Sequence, residues 1–212
     1  KAYNTYMTQY DNPSSLAGTW VNQGPFEIGG GYQGLGRLNA VAFHPTNPDI
    51  VYVGAPAGGM WFTTTNGSEW SSTTDGLPTL GVSAIAIDPV NPSTIYIGTG
   101  DRDAGDAPGL GVMKSTDNGA TWQSSNNGMG NTTVGDLLID PSNPETLFAG
   151  TNSGFFKSID GGANWVKKST GVFKDIAIKP GTNTLLYGSS GGQFYRSTDA
   201  GENWFLITAG LP

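Results

Sequence analysis

The segment STDNGATW, residues 115–122, decides the fold of this chain because close copies of it recur along the sequence. The copies are SIDGGANW at 158–165, STDAGENW at 197–204 and a divergent TTTNGSEW at 63–70. The four terminal tryptophans lie 52, 43 and 39 residues apart, so the chain is built from repeats near forty residues long. A catalytic group is rarely needed four times at equivalent places, and the repetition therefore indicates architecture.

Each copy, called a box below, follows a run of short strands. In the second repeat, VSAIAIDPVNPSTIYIG at 82–98 gives an apolar strand, a Pro-Asn turn and a β-branched second strand. A third strand, the box turn and a Trp-led fourth strand complete a unit that is typical of a β-propeller blade. The sequence therefore predicts an all-β fold, a propeller of four-stranded antiparallel blades, with repeats at 39–82, 83–132, 133–172 and 173–212.

The stretch before the repeats predicts how the ring closes. GTWVNQGP at 18–25 looks like a Trp-led fourth strand that lacks its first three strands, so residues 18–26 are a candidate ring-closing strand and residues 1–17 a leader or linker. The last repeat already has its own fourth strand, and the partner strands would lie beyond Pro212. The chain would then be the N-terminal part of a larger propeller; alternatively, residues 18–25 pack beneath a closed ring of four blades.

Composition narrows the classes of function. Ten Lys and Arg residues face seventeen Asp and Glu residues, and a formal charge of -7 argues against a nucleic-acid partner. No apolar run approaches the roughly eighteen residues of a membrane-spanning helix. The chain has no cysteine and therefore no disulfide framework.

The box itself has a structural explanation. Its glycine lies where a tight hairpin needs a positive φ, its aspartate can accept N–H groups of the turn, and its tryptophan can bury a large face. The residues assigned to this role are Ser115, Asp117, Gly119, Trp122, Ser158, Asp160, Gly162, Trp165, Ser197, Asp199, Gly201 and Trp204. The first copy has Thr65 in place of the aspartate, which predicts a looser turn.

The box resembles the Asp-box, or BNR, repeat of bacterial sialidases, family 74 xyloglucanases, sortilin-type receptors and many secreted bacterial propellers. The resemblance covers residues 18–212 and implies that the boxes lie on the face opposite the ligand-binding side. The strings at 19–70 and 96–122 are similar to the opening of large propeller proteins that bacteria export by type IX secretion. This similarity implies a protein that is secreted or held at the cell surface of a bacterium, with the secretion machinery as a partner during export.

Two aspartates are candidates for catalysis. Asp136 and Asp175 occupy the first-strand position that Ala40 and Ala84 hold in the first two repeats. Equivalent places on adjacent inner strands would bring the two carboxylates together at the channel mouth, and paired carboxylates are what glycoside hydrolysis requires. The alternative is that each carboxylate only caps its strand or binds an N–H of a turn.

An acidic loop, GDRDAGDAPG at 100–109, is a candidate calcium site. Asp101, Asp103 and Asp106 place three carboxylates within six residues, and Ca²⁺ prefers such oxygen ligands. The spacing is not that of an EF-hand, and a solvated acidic loop is the alternative. This loop and the starts of the first strands are expected on one face of the propeller, which makes that face the candidate functional surface.

Other conspicuous residues are assigned to structure. The three arginines that a sialidase would need, Arg37, Arg102 and Arg196, occupy unrelated places in the repeats, and the only histidine, His44, is predicted in an exposed turn. A third-strand slot that is apolar in every repeat predicts packing between blades. Its occupants are Trp61, Met113, Phe156 and Tyr195.

Two functions follow from these patterns. The first is a non-catalytic extracellular propeller, a scaffold or adhesion module that binds glycan or protein, because the chain shows no nucleophile-base pair, histidine cluster or phosphate loop. The alternative is a glycoside hydrolase of the xyloglucanase type that uses the carboxylates at the channel mouth.

Overall fold

A computed structural model of the protein describes residues 37–105 and 107–209. The predictions for residues 1–17 and 18–26 lie outside these residues. The described chain forms four antiparallel sheets of four strands each, in which consecutive strands are neighbours. The prediction of an all-β fold with four-stranded antiparallel units is confirmed.

Every sheet uses four consecutive strands, and the last strand has only two residues in sheets one, two and four. Sheet one contains β1 (Ala40–Phe43), β2 (Val51–Ala55), β3 (Gly59–Thr63) and β4 (Ser71–Ser72). Sheet two contains β5 (Val82–Ile87), β6 (Ile95–Thr99), β7 (Val112–Ser115) and β8 (Gln123–Ser124). Sheet three contains β9 (Val134–Ile139), β10 (Leu147–Thr151), β11 (Gly154–Ser158) and β12 (Val166–Ser169). Sheet four contains β13 (Phe173–Ile178), β14 (Leu186–Ser190), β15 (Gln193–Ser197) and β16 (Phe205–Leu206).

In sheets one to three, the turn between the first and second strands is closed by one side chain that follows the first strand. Asp88 Oδ1 accepts the N–H groups of Val90 and Asn91 over 2.8 and 3.0 Å. His44 does the same in sheet one, where its Nδ1 accepts the N–H of Asn47 over 3.1 Å. His44 is therefore a turn residue, as expected, but it is half-buried rather than exposed.

The box forms the turn between the third and fourth strands. In the second box, Ser115 Oγ donates to Asp117 Oδ1 over 2.7 Å and accepts the N–H of Gly119 over 2.8 Å, while Asp117 Oδ1 accepts the N–H of Thr121 over 2.8 Å. The third and fourth boxes repeat these bonds. The box glycines all have φ between 82° and 88°, which favours glycine; they are Gly67, Gly119, Gly162 and Gly201.

The first box closes without its aspartate. Thr63 Oγ1 accepts the N–H groups of Thr65 and Gly67 over 3.1 and 3.0 Å, and Thr65 Oγ1 accepts the N–H of Glu69 over 3.0 Å. Two hydroxyls thus satisfy the N–H groups that a hydroxyl and a carboxylate satisfy elsewhere. The prediction that Thr65 loosens this turn is therefore wrong with respect to its hydrogen bonds.

The carboxylates of the other three boxes predict an acid-sensitive fold. Hydrogen bonds from Thr121 and Ser115 lower the pKa of Asp117 from 3.8 to about 2, and bonds from Asn203 and Ser197 lower the pKa of Asp199 to about 2. A carboxylate whose pKa is lowered in the folded state stabilises the fold at pH values above its ordinary pKa. This contribution is lost as the pH falls from about 4 to about 2. We expect the melting temperature to fall over this interval, measured by circular dichroism at constant ionic strength. In an Asp160→Asn variant the decline should be smaller, and an unchanged melting temperature in both proteins would contradict the expectation.

The core lies between successive sheets. Strands of sheet one contact β5, strands of sheet two contact β9, and strands of sheet three contact β13. Of the third-strand residues predicted to pack between blades, Met113 of sheet two and Phe156 of sheet three are buried. Trp61 of sheet one is 41% exposed, so the face of that sheet that points away from sheet two is open.

Candidate functional site

The strand register places the two candidate carboxylates at equivalent positions. Strand pairing joins a glycine, the fourth residue of the second strand, to each of Ala40, Ala84 and Asp136. Asp175 is paired with Ser189, which is also the fourth residue of its second strand. Because β9 packs against β13, the side chains of Asp136 and Asp175 lie on neighbouring first strands. The expected juxtaposition of the two aspartates is therefore present.

Asp136 is the less accessible of the pair and links two sheets. Its Oδ1 accepts the N–H of Leu137 over 2.8 Å, and its Oδ2 accepts the N–H of Ile176 in the next sheet over 3.0 Å. Burial raises the pKa of Asp136 above its ordinary value, against the lowering effect of these N–H groups, and nearby Asp175 adds to the rise. Each carboxylate oxygen keeps a second lone-pair site for another partner.

Asp175 is open to solvent and is held by an arginine. Its side chain is 67% exposed, and its Oδ1 accepts an N–H of Arg102 over 3.3 Å. The same Nη1 atom of Arg102 donates to the carbonyl oxygen of Gly135 over 3.1 Å. Arg102 therefore ties the acidic loop of sheet two to the first strands of sheets three and four.

The acidic loop is neutralised by side chains of the protein. Arg37 Nη2 donates to Asp101 Oδ2 over 2.5 Å, and the Asp101 side chain is fully buried. Burial would raise the pKa of Asp101, but the N–H of Asp103 and the Arg37 guanidinium bring it below the ordinary value. Asp103 lies 3.6 Å from Arg102 Nε and 3.7 Å from Lys174 Nζ.

These contacts bear on the predicted calcium site. Asp101 and Asp103 face different cationic partners, and Asp106 lies outside the described residues. Within residues 37–105 and 107–209, no group of three or more acidic, histidine or cysteine side chains could hold a metal ion. Calcium binding by Asp101, Asp103 and Asp106 stays a prediction from the sequence.

A groove runs past these side chains. One cavity of about 180 Å³ is lined by Arg102, Asp103 and Lys174, and a neighbouring one of about 420 Å³ is lined by Lys174, Asp175 and Gln193. Lys174 borders both cavities, so the groove extends from the acidic loop to the tip of the β14–β15 hairpin. A third cavity, of about 280 Å³, lies beside the second and third boxes, away from the carboxylates.

Sequence reasoning missed the basic side chains of this site. Arg37 and Arg102 were weighed only as members of a sialidase triad, whereas the structure uses them to bind Asp101 and Asp175; Arg196 lies apart from both, on β15. A usable signal was the acidic loop itself, because its carboxylates need either a metal ion or basic partners.

Comparisons with known proteins identify related folds. The xyloglucanase of Hypocrea jecorina (strain QM6a) is 28% identical over 174 residues, which cover 74% of this chain and 20% of that protein. The crystal structure of an ancestral GH74 enzyme matches with a TM-score of 0.70 and 26% identity, over 83% of this chain and 26% of that one. The fold is a β-propeller.

A second solved enzyme gives the same result. The GH74 enzyme of Niastella koreensis matches with a TM-score of 0.62 and 25% identity, over 82% of this chain and 30% of that one. The chain thus spans a fifth to under a third of the length of these relatives. No family model matches the sequence. No helix within the described residues is long and apolar enough to cross a membrane.

Proposed function

We propose that this propeller acts as a glycoside hydrolase of the xyloglucanase type, with the groove beside Asp175 taking a glucan chain. The observation that carries the proposal is the pair of carboxylates on adjacent first strands, in unlike surroundings. Asp136 is half-buried with a raised pKa, whereas Asp175 is exposed beside Arg102. The similarity to a xyloglucanase supports xyloglucan as the substrate of this proposal.

The two environments suit the two roles that glycoside hydrolysis needs. A carboxyl group with a raised pKa can hold a proton and donate it to the leaving glycosidic oxygen, which is the role assigned to Asp136. Asp175, which is exposed and bonded to Arg102, would act from the other side as the base for water or as the nucleophile. Arg102 would orient the carboxylate of Asp175 through this hydrogen bond.

The end of the groove at the β14–β15 hairpin suits a hydroxyl-rich ligand. Next to Asp175 and Lys174 it is lined by Ser189, Ser190, Gly191, Gly192 and Gln193, which offer hydroxyl, amide and backbone groups. Phe194 borders the same cavity and supplies an apolar surface. Polar groups beside an exposed ring are suited to a sugar, which has both hydroxyl groups and apolar C–H faces.

The second candidate function is a non-catalytic propeller that binds glycan or protein. It is favoured by the hydrogen bonds of Asp136, since both of its oxygens already accept backbone N–H groups and link β9 to β13. A carboxylate in that position has a sufficient structural role without catalysis. The same groove would then bind a glycan without cleaving it.

Location and family form part of the proposal. A polysaccharide substrate is too large to enter a cell, so the protein would act as a secreted or surface-held protein of a bacterium. The resemblance of the boxes to Asp-box repeats, and of the opening strings to proteins exported by type IX secretion, supports this assignment.

The experiment is an assay of the purified protein on xyloglucan. A hydrolase will release new reducing ends in proportion to time and protein, whereas a binding module will be retarded in a gel containing xyloglucan without releasing any. The Asp49→Asn variant is the control, because Asp49 is an exposed turn residue remote from the groove. Absence of both reducing ends and retardation would refute both functions for this polysaccharide.

A further inference from the structure

Three asparagines of the chain are each followed by a glycine: Asn66, Asn118 and Asn127. In an Asn-Gly pair the glycine has no side chain to hinder its own backbone nitrogen, which can reach the side-chain carbonyl carbon of the asparagine and displace its amide group. All three asparagines are exposed. The sequence alone therefore gives the three pairs the same reactivity, and only the folded structure can separate them.

At two of the pairs, the box turn holds the nitrogen that would have to react. The N–H of Gly67 donates to Thr63 Oγ1 over 3.0 Å, and the N–H of Gly119 donates to Ser115 Oγ over 2.8 Å. Attack on the asparagine requires this N–H to lose its proton and to turn toward the side chain, and both changes break the hydrogen bond. Reaction at these two pairs must therefore wait until the box turn opens.

The third pair lies in the turn after β8, outside the boxes. Asn127 and Gly128 are both exposed, and no group of residues 37–105 or 107–209 accepts the N–H of Gly128. The next two N–H groups of this turn, those of Met129 and Gly130, donate to the carbonyl oxygen of Asn126 over 2.9 and 3.0 Å. The nitrogen that would react at Asn127 is thus the one that the turn leaves free.

The packing of sheet three requires glycine at this position. Gly128 has a φ of 83°, and a Cβ atom on it would lie 2.3 Å from the carbonyl oxygen of Trp165, which is far closer than real Cβ contacts. The N–H of Trp165 donates to the carbonyl oxygen of Asn127 over 2.8 Å. The Asn-Gly pair is therefore part of the junction between sheets two and three.

We propose that Asn127 is a site of spontaneous deamidation in the folded protein, and that the reaction loosens the junction between sheets two and three. The nitrogen of Gly128 loses its proton to solvent and forms a bond to Cγ of Asn127, while the Cγ–Nδ2 bond breaks and the amide leaves as ammonia. Water then adds to one of the two carbonyl groups of the cyclic imide. Ring opening gives aspartate, or isoaspartate, in which the main chain runs through Cβ and Cγ.

Both products remove contacts that Asn127 makes with sheet three. Asn127 Nδ2 donates to Asn164 Oδ1, and Asn164 Nδ2 donates to Asp160 Oδ2 over 2.8 Å, so the box aspartate fixes the orientation of the Asn164 amide. A carboxylate at position 127 then places an acceptor against an acceptor, and rotation of Asn164 cannot relieve this without breaking its bond to Asp160. In isoaspartate, the carbonyl group that accepts the N–H of Trp165 also leaves the main chain and becomes a free carboxylate.

The experiment compares the three asparagines within one sample. The purified protein is kept in a mildly alkaline buffer, aliquots are digested at acidic pH, and mass spectrometry of the peptides gives the converted fraction at each position. Conversion at Asn127 should be at least about tenfold faster than at Asn66 and Asn118, because those two react only through opened turns. In concentrated urea the three rates should become similar. Equal rates in the folded protein, or a lead of Asn127 that persists unchanged in urea, would overturn the proposal.

The Ser115→Ala variant tests the protection by the box. It removes the oxygen that accepts the N–H of Gly119, so conversion at Asn118 should become faster while conversion at Asn66, in the first box, stays as it was. An unchanged rate at Asn118 would show that this hydrogen bond does not determine which pair reacts, and it would overturn the argument that selects Asn127.

The effect on the junction is measured on the modified protein itself. Protein converted at position 127 carries one more negative charge and is separated from the unmodified protein by anion exchange. Its melting temperature should be lower than that of the unmodified fraction from the same sample. Equal melting temperatures would overturn the second part of the proposal, that deamidation loosens the contact between sheets two and three.

Discussion

The Asp175→Asn variant is expected to hydrolyse xyloglucan about 10² to 10⁴ times more slowly than the unaltered protein, since a general base or nucleophile that cannot ionise loses its contribution. Its melting temperature should change little, because the side chain is 67% exposed and its main contact is a surface pair with Arg102. The measurement is the initial rate of reducing-end release at saturating xyloglucan, together with a melting curve. The separation of rate from stability is what identifies a catalytic role.

The matched variant Asp136→Asn should differ in one respect. It should also lose turnover, but its melting temperature should fall, because an amide offers only one acceptor oxygen to the two N–H groups of Leu137 and Ile176. If both variants keep full turnover while Asp136→Asn melts early, the catalytic assignment is wrong, and the carboxylate of Asp136 only links the two sheets.

Replacing Phe155 by alanine is expected to lower the free energy of unfolding by about 3 to 5 kcal/mol, as for other buried phenylalanines. Phe155 is 0% exposed and lies between the rings of Phe148, Phe173 and Trp204. Its removal therefore leaves a cavity where sheets three and four meet. Urea unfolding at pH 7, followed by tryptophan fluorescence, measures the difference.

Phe194→Ala is the matched control, because Phe194 is the second residue of β15, as Phe155 is of β11. In the 212-residue chain, Phe194 is 52% exposed, so its removal should cost no more than about 1 kcal/mol. Equal losses for the two variants in this chain would mean that the difference in exposure between the two slots does not determine their energetics.

Local features of the fold could be predicted from the sequence because each is set by residues close together in the chain. The box glycines marked the positions of positive φ. Asp117, two residues before Gly119, marked the carboxylate that accepts an N–H of the turn. The equivalence of Asp136 and Asp175 with Ala40 and Ala84 followed from counting along the repeats. The recurrence of the boxes then predicted four consecutive sheets.

The charged contacts of the site could not be predicted because their partners are distant in sequence. Arg37 meets Asp101 across 64 positions, and Arg102 meets Asp175 across 73. No periodic pattern marks such pairs, since each occurs once and Arg37, Asp101 and Arg102 lie in loops. The bond from Ile176 to Asp136 was equally hidden, because a backbone N–H carries no mark in the sequence.

The hydrogen bonds of the first box do not depend on pH, because two hydroxyl groups accept them. The N–H of Glu69 is held by Thr65, which has no titratable group, whereas the N–H groups of Thr121, Asn164 and Asn203 are held by carboxylates. As the pH falls, protonation of the carboxylates weakens the turns of the second, third and fourth boxes. The turn of the first box keeps its hydrogen bonds. Slow hydrogen exchange at Glu69 should therefore outlast that of its three counterparts, and the blade with the most divergent box becomes the one whose turn opens last in acid.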